Sequence, residues 1–216
     1  MTAASVDLSG LGTYRAIVEE RLARWHVDDI GRRFWRKDPT VWPAAPPEDV
    51  ASRMGWLSLT EARGELVETF GGFADELRAE GMREAVVLGM GGSSLAPDLF
   101  ARTFVPAPES LRLRVLDSTH PTAVAGLAAS LDLPHTLFVV SSKSGSTIEP
   151  NSFYEFFREK VRATGGPVGR HFVAITDPGT VLARRAGTEG FRRTFSAPPD
   201  VGGRYSALTP FGLVPA

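Results

Sequence analysis

The run TLFVVSSKSGSTIEP, Thr136 to Pro150, decides how this chain is read. It opens on an apolar stretch without polar alternation, the pattern of a strand buried on both faces. It closes on a segment, Asn151 to Arg162, whose composition is that of a helix. Between them lie Ser142, Ser144, Ser146 and Thr147, four hydroxyls within six residues, together with Lys143 and Gly145. A buried strand that opens through small hydroxylic residues into a helix outlines a phosphate cradle. The N–H groups of a helix's first turn are unpaired, and the helix dipole favours an anion there. The hydroxyls add neutral donors, Lys143 adds a point charge, and Gly145 lets the backbone turn sharply and approach a ligand. The pattern is not a Walker A loop, because GxxxxGK[ST] is absent.

Working outward, the same rhythm repeats on both sides. Apolar runs suggest strands at Ala85–Met90, Arg112–Asp117, Thr136–Ser141, Phe172–Thr176 and Arg192–Ser196. Helical segments separate them at Ala96–Phe104, Thr122–Leu131, Asn151–Arg162 and Gly179–Gly187. Strands joined by single helices imply a five-stranded parallel sheet with helices on both faces, an α/β, flavodoxin-like architecture. In such sheets ligands bind beyond the carboxyl ends of the strands, near the point where strand order reverses. Ahead of the first strand, Leu59, Ala62, Leu66, Phe70, Phe73 and Leu77 recur at helical spacing, predicting a helix over Leu57–Glu80 with Gly81 as its C-cap.

Other strand ends carry weaker signals. GMGGSSLAP, Gly89 to Pro97, lacks GxGxxG spacing and so does not read as a dinucleotide site, but Gly91, Gly92 and Ser93 would let a ligand reach the backbone. Ser93 or Ser94 is a candidate cap for the helix that follows. In DSTHPT, Thr119 is the expected cap and His120 is not assigned a catalytic role. In ITDPGT, Asp177 suits an N-cap, with Pro178 at the first helical position. Gly202 and Gly203 give freedom to the backbone just before Arg204, a guanidinium suited to an oxyanion or a phosphate.

Residues 1–56 have a different texture. Tyr14–Trp25 reads as an amphipathic helix with Ile17, Val18, Leu22 and Trp25 near one face. The segment IGRRFWRKDPTVWPAAPPEDV is broken by prolines and holds Trp35 and Trp42. It reads either as an arm laid over the main domain or a neighbouring subunit, or as a partly ordered linker. The chain has no cysteine, which excludes disulfides and thiol catalysis, and its four histidines show no ligand spacing for zinc, so no metal is expected. A formal net charge of −1 gives no nucleic-acid footprint. No signal sequence or membrane span is apparent, and the cytoplasm is the expected compartment.

Three ordered motifs, GMGGSSLAP, SSKSGSTIEP and DVGGRYSALTPFGL, resemble the glucose-6-phosphate isomerase family. The likeness is strongest to the bacterial isomerase portion fused behind transaldolase, where IGRRFWRKDPTVW and GWL resemble the joining region. The resemblance implies a sugar isomerase (SIS) domain over residues 57–216, preceded by the arm. It implies that Ser142, Lys143, Ser144 and Thr147 bind phosphate, that Gly92 and Ser93 contact substrate, and that Arg204 steadies an enediolate. Pro150 stands where other members carry a phosphate-touching threonine, and Gly145 replaces their usual phenylalanine. The implied reaction interconverts glucose 6-phosphate and fructose 6-phosphate without a cofactor.

The family's glutamate base, histidine and lysine lie well beyond VGGRYS, on a second SIS domain and the C-terminal segment. This chain stops twelve residues after Arg204, on a helix start at Thr209–Pro210 with little left to run. The expectation is therefore an N-terminal piece of an isomerase, inactive alone, whose partners are a sugar phosphate, a second SIS domain on the same or a companion chain, and a second copy in a homodimer. No nucleic acid or membrane partner is expected. The alternative is a sugar-phosphate-binding SIS module that does not catalyse.

Overall fold

A computed structural model describes residues 7–61 and 63–216. The arm carries α1 (Arg15–Val27), α2 (Ile30–Trp35) and α3 (Pro47–Ala51), and α4 (Arg63–Ala79) leads into the sheet. There β1 (Glu84–Gly89), α5 (Leu95–Thr103), β2 (Arg112–Leu116), α6 (Pro121–Ser130), β3 (Thr136–Ser141) and α7 (Ile148–Arg162) follow in turn. The chain then runs through β4 (Phe172–Thr176), α8 (Val181–Thr188), β5 (Arg193–Ser196) and α9 (Pro210–Leu213). The strands form one five-stranded sheet in the order β2-β1-β3-β4-β5, and every pairing is parallel. This is the doubly wound, flavodoxin-like architecture expected from the sequence, and its strand order reverses between β1 and β3.

Alternate strand residues feed two cores, because successive side chains point to opposite faces. On one face Val86, Leu88, Phe138, Val140, Phe172 and Ala174 pack against α6, α7 and α8. Phe138 stacks on Phe157 and Phe172, with ring centroids 4.6 and 5.3 Å away. On the other face Val87, Leu137, Val139, Val173 and Ile175 meet Phe70, Phe73 and Leu77 of α4 and Phe211 of α9. No helix among the described residues is long and apolar enough to cross a membrane.

Polar ties fix the edges. Arg192 clamps β5 to the end of α4, donating to Glu76 and to both oxygens of Glu80. Its hydrogen bond holds the Glu80 carboxyl down at about 2, against the upward push of burial and with added attraction from Arg192 and Arg170. Between α7 and α8, the Tyr154 hydroxyl donates to Glu189 at 2.5 Å and Arg158 reaches the same oxygen at 2.9 Å. Burial and that hydrogen bond raise the Tyr154 hydroxyl above its ordinary range.

Three local expectations change. The helix foreseen from Leu57 starts only at Arg63, because Gly55–Ser58 forms a 3-10 turn that belongs to the arm. Lys37 holds that turn by donating to the Ser58 hydroxyl at 2.7 Å; Ala62, assigned to the helix face, lies outside the described residues. Gly81 does end the helix, at φ +83°, with the Gly81 and Met82 N–H groups returning to Arg78 and Leu77. The α6 cap is His120 rather than Thr119: its Nδ1 accepts from the Thr122 N–H at 3.3 Å, ahead of Pro121. The α8 cap is Thr180 rather than Asp177, accepting from the Ala183 N–H at 3.2 Å.

The arm lies over its own domain. Phe34 gathers Trp35, Trp42 and Trp56 within 6.0 Å, and Trp56 stacks on Tyr205 at 5.3 Å. Met54 is buried, and the Gly55 N–H donates to the Asp200 carbonyl at 2.9 Å. Helix α1 forms where the pattern placed it, yet Ile17, Leu22 and Trp25 on its apolar face are all exposed.

Candidate functional site

Beyond the carboxyl ends of β1 and β3, at the reversal of strand order, a cavity of about 530 Å³ opens. Four loops, after β1, β3, β4 and β5, and the arm wall it. The loop after β3 supplies Lys143, Ser144 and Thr147. The loop after β1 supplies Gly92 and Ser93, and the segment before α9 supplies Pro199 and Gly203.

The β3 loop is shaped by short-range bonds. The Ser142 N–H donates to the Ile175 carbonyl at 3.0 Å, prolonging the sheet by one step. The chain then turns at Gly145, whose φ of +68° favours glycine. A Cβ there would lie 2.7 Å from the Thr180 side chain, so a larger residue has no room without displacing Thr180. The buried Ser142 hydroxyl donates to Thr147 Oγ1 at 2.9 Å, and the Ser144 hydroxyl lies 3.4 Å from the same atom. Thr147 is the N-cap of α7, yet its side chain caps no N–H of that helix. Ser144 and Thr147, the N-cap of α7, thus line the cavity, with the Ser142 hydroxyl behind Thr147. Pro150, in the first turn of α7, carries no N–H to add.

Lys143 is differently placed from a free point charge. Its ammonium donates to both carboxylate oxygens of Asp177, at 2.7 and 3.0 Å, and to the carbonyls of Pro199 and Pro198 at 3.2 and 3.4 Å. Asp177 also lines the cavity, and its N–H donates to the Lys143 carbonyl at 3.2 Å. The residue expected to cap a helix is instead the counter-ion of the loop lysine. That partner stands 34 positions away and is invisible to a local pattern.

Gly92 and Gly203 touch backbone to backbone: a Cβ on Gly92 would fall 2.3 Å from the Gly203 carbonyl oxygen. The Ser206 hydroxyl bridges the two loops, donating to Gly203 at 2.6 Å and to Gly92 at 3.4 Å. Ser93 is buried, and the Ser94 hydroxyl turns back to Gly91 rather than capping α5. Arg204 is exposed on the rim, directly after Gly203, and is not among the residues that line the cavity. Ser142 likewise stands behind the lining, acting through Thr147. The arm contributes Ser52 and Arg53, which the sequence did not single out. The only pointer to them was their position just before the GWL motif.

A doubly wound parallel sheet with a hydroxyl-rich loop at its switch point is consistent with a sugar isomerase domain. Comparison with known proteins narrows this: the phosphoglucose isomerase family model matches residues 69–216, and the chain belongs to that family. A glucose-6-phosphate isomerase of Synechococcus sp. is 32% identical over 199 residues, covering 87% of this chain and 36% of that protein. Among solved structures, a hypothetical protein of Thermus thermophilus superposes with a TM-score of 0.72 at 32% identity, over 91% of this chain and 45% of that one. A glucose-6-phosphate isomerase of Chlamydia trachomatis superposes with a TM-score of 0.62 at 28% identity, over 84% and 33%. The chain spans about a third of the length of the curated relatives it matches.

Proposed function

We propose that this chain binds a hexose 6-phosphate and takes part in the interconversion of glucose 6-phosphate and fructose 6-phosphate. The observation that carries the reading is the placement of Ser144 and of Thr147, the N-cap of α7, on the switch-point cavity. Neutral donors and a helix N-terminus there suit the phosphate, whose remote binding energy orients the open-chain sugar. Gly92 and Ser93 lie against the sugar, and Arg204 swings from the rim to stabilise the enediolate as a proton passes between C1 and C2. The arm, residues 1–56, and the sheet domain, residues 57–216, act as one binding unit.

The proton-transferring base comes from a second SIS domain, on the same or a companion polypeptide. Asp177 is the carboxylate that lines this cavity among the described residues, and Lys143 holds both its oxygens. Missing a general base costs ~10²–10⁴ in rate, so turnover by this chain alone falls near background. A sugar-phosphate-binding module that never catalyses rests on the same observation. Adding the second domain of a relative separates the two, since only the isomerase reading gains turnover.

Calorimetric titration with fructose 6-phosphate tests the site. The wild-type chain binds at about millimolar Kd or tighter, and Ser144→Ala/Thr147→Ala weakens binding tenfold or more, about 1.4 kcal/mol. A folded wild-type chain that fails to bind, or a double variant that binds equally well, overturns the assignment.

A further inference from the structure

The cavity's charge does not fit a dianionic ligand until the arm is considered. Lys143 and Asp177 neutralise each other within the wall, and the hydroxyls carry no charge. One further cation lines the cavity among the described residues: Arg53, in the turn just after α3. Its guanidinium has no hydrogen-bond or ion-pair partner among the described residues, and it is exposed. The residue also lines a neighbouring aromatic cavity of about 380 Å³, with Trp56, Met54 and Tyr205. The residue thus borders both the polar site and an apolar surface, a position that suits a long amphipathic side chain.

The backbone beneath it is fixed. The Arg53 N–H returns to Val50 at 2.9 Å, Met54 is buried, and Gly55 is pinned to Asp200. A Cβ on Gly55 would fall 2.4 Å from the Asp200 carboxyl carbon, so the arm meets the loop before Gly203 at the closest approach a glycine allows. An unpaired guanidinium on an anchored backbone, beside neutral phosphate donors, supplies the charge and the forked geometry a phosphate accepts.

We propose that Arg53 binds the phosphate of the substrate directly, completing from the arm a clamp whose own lysine is engaged elsewhere. The inference rests on the sugar-phosphate reading of the cavity.

The test is calorimetry of the full chain with three probes: fructose 6-phosphate, inorganic phosphate and fructose. Arg53→Met weakens fructose 6-phosphate and inorganic phosphate by about 10- to 100-fold, the worth of a charged hydrogen bond. Arg53→Lys recovers part of the loss, because it keeps the charge but not the fork. The wild-type affinity also falls more steeply with added salt than that of Arg53→Met. Ser144→Ala/Thr147→Ala serves as the control for the site itself. If that double variant loses affinity while Arg53→Met retains it, the proposal is wrong and the site stands. If Arg53→Met loses fructose 6-phosphate but keeps inorganic phosphate, the residue acts on the sugar and the phosphate role is overturned. If the folded wild-type chain binds no phosphate-bearing probe, the site reading fails and this proposal with it. Should Arg53→Met prove unfolded, the Arg53→Lys affinity and the wild-type salt slope decide: unchanged affinity and a flat slope refute it.

Discussion

Replacing Gly92 by alanine tests the closest backbone approach in the site. The added Cβ would stand 2.3 Å from the Gly203 carbonyl oxygen and 2.4 Å from its carbon, both main-chain atoms that no rotamer change can clear. The two loops must separate by about 0.7 Å before the contact opens even to 3.0 Å. The Gly203 side is not free to yield, because Ser206 donates to it at 2.6 Å and the next aromatic, Tyr205, is stacked on Trp56 of the arm. Overpacking of this kind costs about 1–3 kcal/mol. Gly92 does not have a positive φ, so the cost is one of contact and not of backbone strain. The reciprocal change separates these causes. A Cβ on Gly203 meets only the Gly92 Cα, at 4.0 Å, an ordinary contact. Urea unfolding and fructose 6-phosphate calorimetry on both variants give the answer. Gly92→Ala lowers stability by that amount and weakens binding, because the separated loops no longer hold the cavity wall in place. Gly203→Ala changes each by much less. Equal damage from the two variants would mean that loop freedom, not the close approach, is what matters, and a harmless Gly92→Ala would refute the contact altogether.

Removing the loop lysine has a structural cost apart from any ligand. The side chains of Lys143 and Asp177 are 20% and 19% exposed, so Lys143→Met leaves a mostly buried carboxylate uncompensated and costs about 1–3 kcal/mol. Asp177→Asn in the same background returns part of this, and a double-mutant cycle by urea unfolding reads the coupling; additive effects would dismiss the pair. The Glu80 carboxyl titrates at about 2 in the folded chain, below its ordinary value of roughly 4.3, so it contributes stability above that ordinary value and loses it as pH falls towards 2. Glu80→Gln therefore lowers the thermal midpoint at neutral pH and flattens its decline below about pH 4.3, which a pH series of melts would show. Tyr154→Phe removes the 2.5 Å bond to Glu189 far from the cavity and costs about 1–2 kcal/mol, with fructose 6-phosphate affinity unchanged. A drop in affinity there would mean that α7 transmits strain to its own N-terminus.

What the sequence made legible follows from what is local. Strands β3 and β4 are buried throughout and emerge at the expected residues, because burial on both faces leaves a run without polar alternation. Single-helix spacing was enough to imply a doubly wound parallel sheet, since crossover geometry restricts the choice. Helix α7 begins at Ile148, ahead of the expected Asn151, because a proline in the first turn costs no hydrogen bond. The misreadings share a cause. Asp177 has the look of a cap beside its proline, but Thr180 does that work once Gly179 turns the chain at φ +73°. Lys143 looks like a free cation among hydroxyls until the sheet brings Asp177 beside it. Arg53 sits in a proline-broken arm without periodicity, and only the docking of Gly55 against Asp200 brings it to the cavity.

These placements make the segment from Pro198 to Ser206 the common tie of the site. Lys143 binds the carbonyls of Pro198 and Pro199, linking the ends of β3 and β4 to the chain after β5. Asp200 receives the arm, Gly203 receives the β1 loop, and Tyr205 stacks on Trp56. A displacement of this one segment would disturb the β3 loop, the β1 loop and Arg53 together, while Arg204 itself rides on it. Phosphate affinity and the placement of Arg204 are therefore not independent properties of the site. A variant that loosens the tie, such as Trp56→Ala, is expected to weaken fructose 6-phosphate binding although Trp56 does not line the cavity. It acts on the same affinity as Arg53→Met, and combining the two gives less than the sum of their effects if Arg53 depends on the docked arm. Fully additive losses would mean that the arm holds Arg53 without help from the Trp56–Tyr205 stack.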